Sequence, residues 1–88
     1  MNSFEQMESV IAQRRAEPQE GSYTCYLFEK GLDKILKKVG EECAETIIAA
    51  KNGDKKELVG EINDVFYHIM VMMNECGVTL QDVCEEMD

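Results

Sequence analysis

The chain has 88 residues, of which 44% are apolar and 31% are charged, and its formal net charge is -9. This length allows one small domain over residues 1–88, and the acidic balance excludes a basic surface for nucleic acid or anionic membranes. An anionic substrate would need metal ions and a few local cations to reverse the potential at its site.

A membrane span and a cysteine-based site are also excluded by the sequence. The longest apolar run, residues 65–73, is interrupted by His68 and is too short to cross a bilayer. No two cysteines are spaced as a CxxC pair, and such isolated cysteines are typical of free thiols in a reducing cytoplasm. They are Cys25, Cys43, Cys76 and Cys84.

The first part of the chain predicts a helix and a loop. Ser3 followed by Gln6 resembles a capping box, and apolar residues then recur at helical spacing. We therefore expect a helix from Ser3 to Arg15. The stretch 17–21, which contains Pro18, is expected to be a loop.

A short helix and a long helix are expected next. Ser22 or Thr24 can cap the short helix, which should stop near Gly31. An apolar stripe then runs for about five turns from Leu32, and Asn52-Gly53 is a strong stop signal.

The rest of the chain predicts a second long helix and a final short one. Asp54 is the expected cap of the long helix, with Glu57 completing a capping box, and Gly77 is its expected end. Thr79 with Asp82 starts the final helix. The short connection at Asp54 forces the two long helices into an antiparallel hairpin, so the predicted fold is all-α with flanking short helices.

The second long helix is apolar around most of its circumference. Tyr67, Met70 and Val71 lie away from its main apolar stripe, which leaves only a narrow polar strip. Such a helix needs more than one neighbour. In a small chain a second subunit is the simplest one, so we predict a homodimer, or a higher homo-oligomer, that completes a four-helix-type bundle.

Five acids form two clusters on the two long helices. Glu42 and Glu45 follow Glu41 on the first, while Glu61 and Asp64 lie on the second. Residues three apart share a helix face, so the hairpin would bring four carboxylates together. Like charges in a partly desolvated site repel, and hard oxygen ligands suit Mg²⁺ or Mn²⁺. The alternative, an ordinary solvated acidic face, stays open for each single acid.

Other kinds of metal site fit less well. A di-iron bundle needs two Glu-x-x-His repeats, but the chain has one histidine, His68, and no EF-hand loop. His68 would orient a carboxylate, act as a base, or serve as a hydrogen-bonded structural residue, and the structural interpretation is favoured. Among the lysines, Lys38 and Lys51 are assigned to substrate phosphate.

Two long segments carry a family resemblance. They are SYTCYLFEKGLDKILKKVGEECAETIIAAKNGD and EINDVFYHIMVMM. Both resemble the phosphoribosyl-ATP pyrophosphatase family of histidine biosynthesis, within the all-α nucleotide pyrophosphohydrolase (MazG-like) superfamily. The EExxE and ExxD patterns match the metal signature of that superfamily.

The resemblance implies Mg²⁺-dependent hydrolysis of phosphoribosyl-ATP to phosphoribosyl-AMP and pyrophosphate by a cytoplasmic dimer or larger helical bundle. It implies that Glu42, Glu45, Glu61 and Asp64 are the metal ligands. Glu41 matches the first glutamate of the motif, with a supporting or proton-handling catalytic role. Ser22, Tyr23 and Thr24 are then expected at the mouth of the site, where hydroxyls and helix N-terminal amides suit a phosphate.

Two alternatives remain open at this point. One is a house-cleaning pyrophosphohydrolase acting on non-standard nucleoside triphosphates, which would share the metal site. The other is a non-catalytic acidic helical module that dimerises and binds a cation or a basic partner.

Overall fold

The computed structural model describes all 88 residues and contains five helices and no strand. The helices are α1 (Ser3–Ala16), α2 (Tyr23–Lys30), α3 (Leu32–Asn52), α4 (Lys55–Cys76) and α5 (Leu80–Met87). The predicted all-α class is thereby confirmed. None of the helices combines the length and the apolar character that a membrane span requires.

The centre of the fold is the hairpin of α3 and α4, which pack on each other more extensively than any other pair of helices. Gly53 ends α3 in the left-handed conformation, with φ of 76°, which an L side chain rarely adopts. Asp54 then caps α4 by accepting a hydrogen bond from the backbone N–H of Glu57 at 3.1 Å. Because the turn is so short, α4 runs back along α3.

Two predicted caps need correction. The N-cap of α1 is Asn2, whose side chain accepts from the Glu5 backbone N–H at 2.9 Å, while Ser3 is already helical. Asn and Ser are nearly equal as caps, so the extended backbone of Asn2 decides the start. The return bond from the Glu57 side chain to the backbone N–H of Asp54 is also absent, and Glu57 is exposed. The reciprocal box is instead formed by Thr79 and Asp82 at α5.

The core lies where α1 and α2 cover the hairpin. One cluster combines residues from four helices: Ile11, Leu27, Ile35, Met70, Val71 and Met73. Met70 and Val71 are thus buried by helices of the same chain, which corrects the argument that their position calls for a second subunit. The large apolar residues of α4 that stay exposed are Val59 and Phe66.

Candidate active site

Three carboxylates converge where α3 and α4 face each other. Glu42 and Glu45 come from successive turns of α3, and Glu61 comes from α4. One oxygen from each of the three lies within 4.8 Å of the other two. Glu42 is only 7% exposed, which agrees with its predicted place at the edge of the apolar stripe. The hairpin thus gathers three of the four acids predicted as ligands.

Two oxygens of this cluster have no hydrogen-bond partner. Glu42 Oε2 and Glu61 Oε2 are both buried and unpaired, an arrangement that is costly for a charged group. Burial, and then the charge of Glu45, raises the pKa of Glu42. Burial, and then the neighbouring Glu45 carboxylate, raises the pKa of Glu61. A divalent cation would satisfy both free oxygens and remove the repulsion, so the donor set fits such an ion.

Asp64, the fourth predicted ligand, lies beside this cluster and not among its closest oxygens. It is exposed, although its charge contributes to the raised pKa values of Glu42 and Glu61. Its backbone carbonyl accepts a hydrogen bond from His68 Nδ1 at 2.7 Å. Direct ligation by the Asp64 carboxylate stays a prediction.

A lysine lies against the acidic cluster. Lys38 Nζ lies 3.2 Å from Glu41 Oε2 and 3.5 Å from Glu42 Oε1. The hydrogen bond between Lys38 and Glu41 raises the pKa of the lysine and lowers the pKa of Glu41. Lys51, the other lysine assigned to phosphate, is exposed in the last turn of α3 and forms no ion pair. The structure therefore brings Lys38, but not Lys51, into contact with the acids.

The start of α2 packs against α4 through side-chain hydrogen bonds. The Thr24 hydroxyl bonds to the Tyr67 hydroxyl, and the Tyr23 hydroxyl lies 2.9 Å from His68 Nε2. Ser22 caps α2 by accepting from the Cys25 backbone N–H at 3.2 Å. The hydroxyls of Ser22 and Thr24, predicted to contact substrate, thus already take part in internal hydrogen bonds.

His68 and Tyr67 both form hydrogen bonds with the start of α2. His68 is 5% exposed and bonded through both ring nitrogens, as the structural interpretation expects. The bond of Tyr67 to α2 is not predicted by the sequence pattern, which marks Tyr67 only as an apolar residue of α4. A sequence signal for these bonds is the adjacent pair of hydroxyl residues, Tyr23 and Thr24. They can form hydrogen bonds with the adjacent rings of Tyr67 and His68 on α4.

The fold and the acidic cluster together define an all-α protein with a carboxylate site suited to a divalent cation. The family model described as phosphoribosyl-ATP pyrophosphohydrolase matches residues 4–88. The chain belongs to this family, so the family resemblance found in the sequence is confirmed.

Individual relatives agree with this assignment. The chain is 56% identical over 87 residues to a phosphoribosyl-ATP pyrophosphatase of Clostridium botulinum, covering 99% of this chain and 79% of the relative. It is 54% identical over 85 residues to the protein of the same name from Bacillus cereus, covering 97% of this chain and 79% of the relative.

A longer relative shows the same similarity over part of its length. The chain is 61% identical over 83 residues to the histidine biosynthesis bifunctional protein HisIE of Thermoanaerobacter pseudethanolicus. The match covers 94% of this chain but only 38% of that relative. The similarity to bifunctional proteins of this kind therefore concerns well under half of their length.

Proposed function

We propose that this chain hydrolyses phosphoribosyl-ATP to phosphoribosyl-AMP and pyrophosphate, the second step of histidine biosynthesis, in the cytoplasm. The observation that carries the proposal is the convergence of three carboxylates with two buried, unpaired oxygens. The substrate follows from the names of the relatives that are 54% to 56% identical over almost the whole chain. Residues 1–88 would act as one domain.

Mg²⁺, with Mn²⁺ as an alternative, is the proposed cofactor. Glu42, Glu45 and Glu61 would hold it, with Asp64 as the fourth ligand. When bound, the ion would supply positive charge that stabilises the phosphoryl oxygens and favours deprotonation of the attacking water. The carboxylates would then determine where this positive charge lies on an acidic protein.

Lys38 and Glu41 would act on the same polyphosphate. The Lys38 ammonium can neutralise a phosphate oxygen that the cation leaves charged. Glu41 is proposed to support the reaction or to handle the proton of the attacking water. Its ion pair with Lys38 lowers the pKa of Glu41, which makes it a weaker base and favours the supporting role.

The start of α2 is the proposed wall of the substrate site. Ser22, Tyr23 and Thr24 lie at the N-terminus of this helix, where backbone N–H groups favour an anion. Because the hydroxyls of Ser22 and Thr24 are bonded internally, the backbone amides are the groups better placed to bind phosphate. Lys51 would contact a more distant part of the substrate.

A homodimer, or a larger homo-oligomer, is proposed from the apolar surface of the hairpin. Ile47 and Ile48 on α3 are 71% and 58% exposed, and Val59 and Phe66 on α4 are exposed as well. Large apolar side chains exposed to this extent are typical of an interaction surface. Light scattering after size exclusion should give twice the chain mass, and Ile48→Lys should reduce it to the mass of one chain.

One assay tests the proposed reaction. Pyrophosphate release would be measured from phosphoribosyl-ATP and from a panel of nucleoside triphosphates, with Mg²⁺ and with a chelator. We expect release from phosphoribosyl-ATP that requires Mg²⁺. Faster release from the nucleoside triphosphates would favour the house-cleaning function, and release from neither would favour a non-catalytic acidic module.

A further inference from the structure

Two tyrosines of α2 form an exposed aromatic pair. Tyr23 and Tyr26 lie three residues apart and therefore share a face of the helix, and both are exposed. Their ring planes are inclined by only 21° and their centroids are 6.1 Å apart, which is the geometry of an offset stack. The pair thus presents two adjacent aromatic rings at the surface, although exposed tyrosines are costly unless something covers them.

Tyr23 anchors this pair to α4. Its hydroxyl lies 2.9 Å from His68 Nε2, and its ring packs against the rings of Tyr67 and His68. His68 is in turn bonded to the backbone carbonyl of Asp64, one turn earlier on α4. The aromatic pair therefore begins beside the helix that carries Glu61 and Asp64, and it continues along α2 to Tyr26.

A cleft of about 580 Å³ opens along the two rings. It is lined by residues 18–22 of the loop before α2 and by residues of α2 that include Tyr23, Tyr26 and Glu29. A cleft of this volume is typical of a small-molecule site. The amides proposed to bind phosphate lie at the first turn of α2, whereas Tyr26 and Glu29 lie further along the helix. Phosphate and a second group could thus occupy different ends of the cleft.

The charges around the cleft indicate which group suits its far end. Both charged residues that line it, Glu20 and Glu29, are acids. Carboxylates disfavour a phosphate there, but they accept hydrogen bonds from N–H groups. Aromatic rings favour a flat ring that stacks on them. A purine base with an exocyclic amino group meets both conditions, and a phosphate or a bare sugar meets neither.

We propose that Tyr23 and Tyr26 form the stacking wall of a purine subsite, in which the base of the nucleotide lies on the Tyr26 ring. The inference rests on the proposed function in taking the substrate to be a nucleotide. Lys30 Nζ lies 5.7 Å from the centroid of the Tyr26 ring. The base displaces this exposed ammonium group, because a cation–π contact at the surface is weaker than stacking of a base on an aromatic ring.

AMP and ribose 5-phosphate are matched probes for this subsite, because they share the sugar and the phosphate and differ in the base. Neither contains a phosphoric anhydride, so neither can release pyrophosphate. Their dissociation constants would be measured by two-dimensional NMR titration of the whole chain. Wild-type protein should bind AMP about five- to a hundredfold more tightly than ribose 5-phosphate. The ring protons of Tyr26 should also shift more with AMP than those of Tyr67, which lies on α4.

Two substitutions of Tyr26 separate its ring from its hydroxyl. Tyr26→Leu keeps an apolar side chain but removes the ring, so the preference for AMP over ribose 5-phosphate should disappear. Tyr26→Phe keeps the ring, so the preference should stay within about twofold of wild type. Ribose 5-phosphate should bind all three proteins within about twofold, because it has no base to stack. Thermal unfolding checks that each variant is folded, and Tyr26→Gln replaces Tyr26→Leu if that variant does not fold.

Three results would overturn the proposal. They are wild-type protein that binds AMP no more tightly than ribose 5-phosphate, a variant without the ring that keeps the preference, and a Tyr26→Phe variant that loses it. The first would leave the cleft without a base, the second would place the base elsewhere, and the third would assign binding to the hydroxyl instead of the ring.

The titrations also separate this subsite from the proposed reaction. Protein that prefers AMP through Tyr26 but releases no pyrophosphate from phosphoribosyl-ATP would contradict the reaction and leave the subsite intact. Protein that releases pyrophosphate from phosphoribosyl-ATP but shows no preference for AMP would overturn the subsite alone.

Discussion

Lys38 Nζ lies 3.5 Å from Glu42 Oε1, while the other oxygen of the same carboxylate, Glu42 Oε2, is buried without a partner. One oxygen of the carboxylate is therefore paired with a cation, while the other has no partner in a side chain that belongs to the cluster with Glu45 and Glu61. Since an unpaired buried oxygen lowers stability, Glu42 combines a structural cost with a place at the centre of the acidic cluster. Activity and stability should respond to its replacement in opposite directions.

Glu42→Gln is the first test of that expectation. The amide keeps the shape of the side chain but removes one negative charge from the cluster. We expect pyrophosphate release to fall by about a hundredfold or more, because a cation bound there loses a charged ligand. The melting temperature without divalent ions should stay the same or rise, since repulsion with Glu45 is relieved.

Glu57→Gln is the matched control for this variant. Glu57 lies on α4, one turn before Glu61, and its side chain is exposed. The same substitution there should leave pyrophosphate release within about twofold, as expected for a surface position. Equal losses in Glu42→Gln and Glu57→Gln would contradict the assignment of the acidic cluster as the active site.

The raised pKa values of Glu42 and Glu61 predict how stability depends on pH. In the folded protein both groups have a pKa above the ordinary value of 4.5. They therefore bind protons more tightly in the folded protein than in the unfolded chain. Their contribution to stability is therefore fully present below pH 4.5 and is lost as the pH rises through the raised values. Saturating Mg²⁺ should remove this loss, because the ion stabilises the charged carboxylates.

Urea unfolding at a series of pH values, with a chelator present, measures this effect. The free energy of unfolding of the wild type is compared with that of the combined Glu42→Gln, Glu61→Gln variant, which cannot titrate at these positions. The wild type should lose stability relative to the variant as the pH rises above 4.5. A relative gain over the same range would show that the two carboxylates are stabilised as anions.

The helix boundaries could be predicted closely because local chemistry sets them. Gly53 and Gly77 end α3 and α4 in the left-handed conformation, and Asp54 and Thr79 cap the helices that follow. The sequence pattern puts the cap of α1 at Ser3, whereas the structure has it at Asn2, because these two adjacent residue types have nearly equal capping preference.

Contacts between distant segments could not be predicted in the same way. Periodicity marks Met70 and Val71 as apolar, but it does not show that α1 and α2 cover them. Likewise, the bond between Tyr23 and His68 joins residues 45 positions apart and depends on how α2 packs on α4. The acidic cluster was easier to foresee, because a short turn fixes which parts of α3 and α4 face each other.

Lys38→Met tests the assigned contact with phosphate. The methionine keeps much of the apolar stem but removes the ammonium group that contacts Glu41 and Glu42. We expect KM for phosphoribosyl-ATP to rise by about tenfold or more, as for the loss of a charged hydrogen bond. Initial-rate kinetics at saturating Mg²⁺ measure the change.

Lys37→Met is the control for this prediction. Lys37 is the preceding residue on α3, is exposed and forms no ion pair. Lys37→Met changes the net charge by the same amount as Lys38→Met, so a purely long-range effect of charge would appear in both variants. A KM that rises equally in Lys37→Met and Lys38→Met would show that Lys38 makes no specific contact with the substrate.

Substitutions of two isoleucines of α3 distinguish packing within one chain from association between two chains. Ile35 is fully buried within the chain, whereas Ile48 is 58% exposed. Ile35→Ala should lower the free energy of unfolding by about 2–5 kcal/mol, because it leaves a cavity in the core. Ile48→Ala removes the same atoms from an open surface, so its effect on an isolated chain should stay within about 0.5 kcal/mol.

The dependence on protein concentration then distinguishes the two sites. If Ile48 is buried between subunits, the melting temperature of the wild type rises with protein concentration, and Ile48→Ala weakens that rise. Ile35→Ala should lower the melting temperature at every concentration by a similar amount, since its contacts lie inside one chain. A wild-type melting temperature that is independent of concentration, with Ile48→Ala unchanged from it, would contradict an interface at this face of the hairpin.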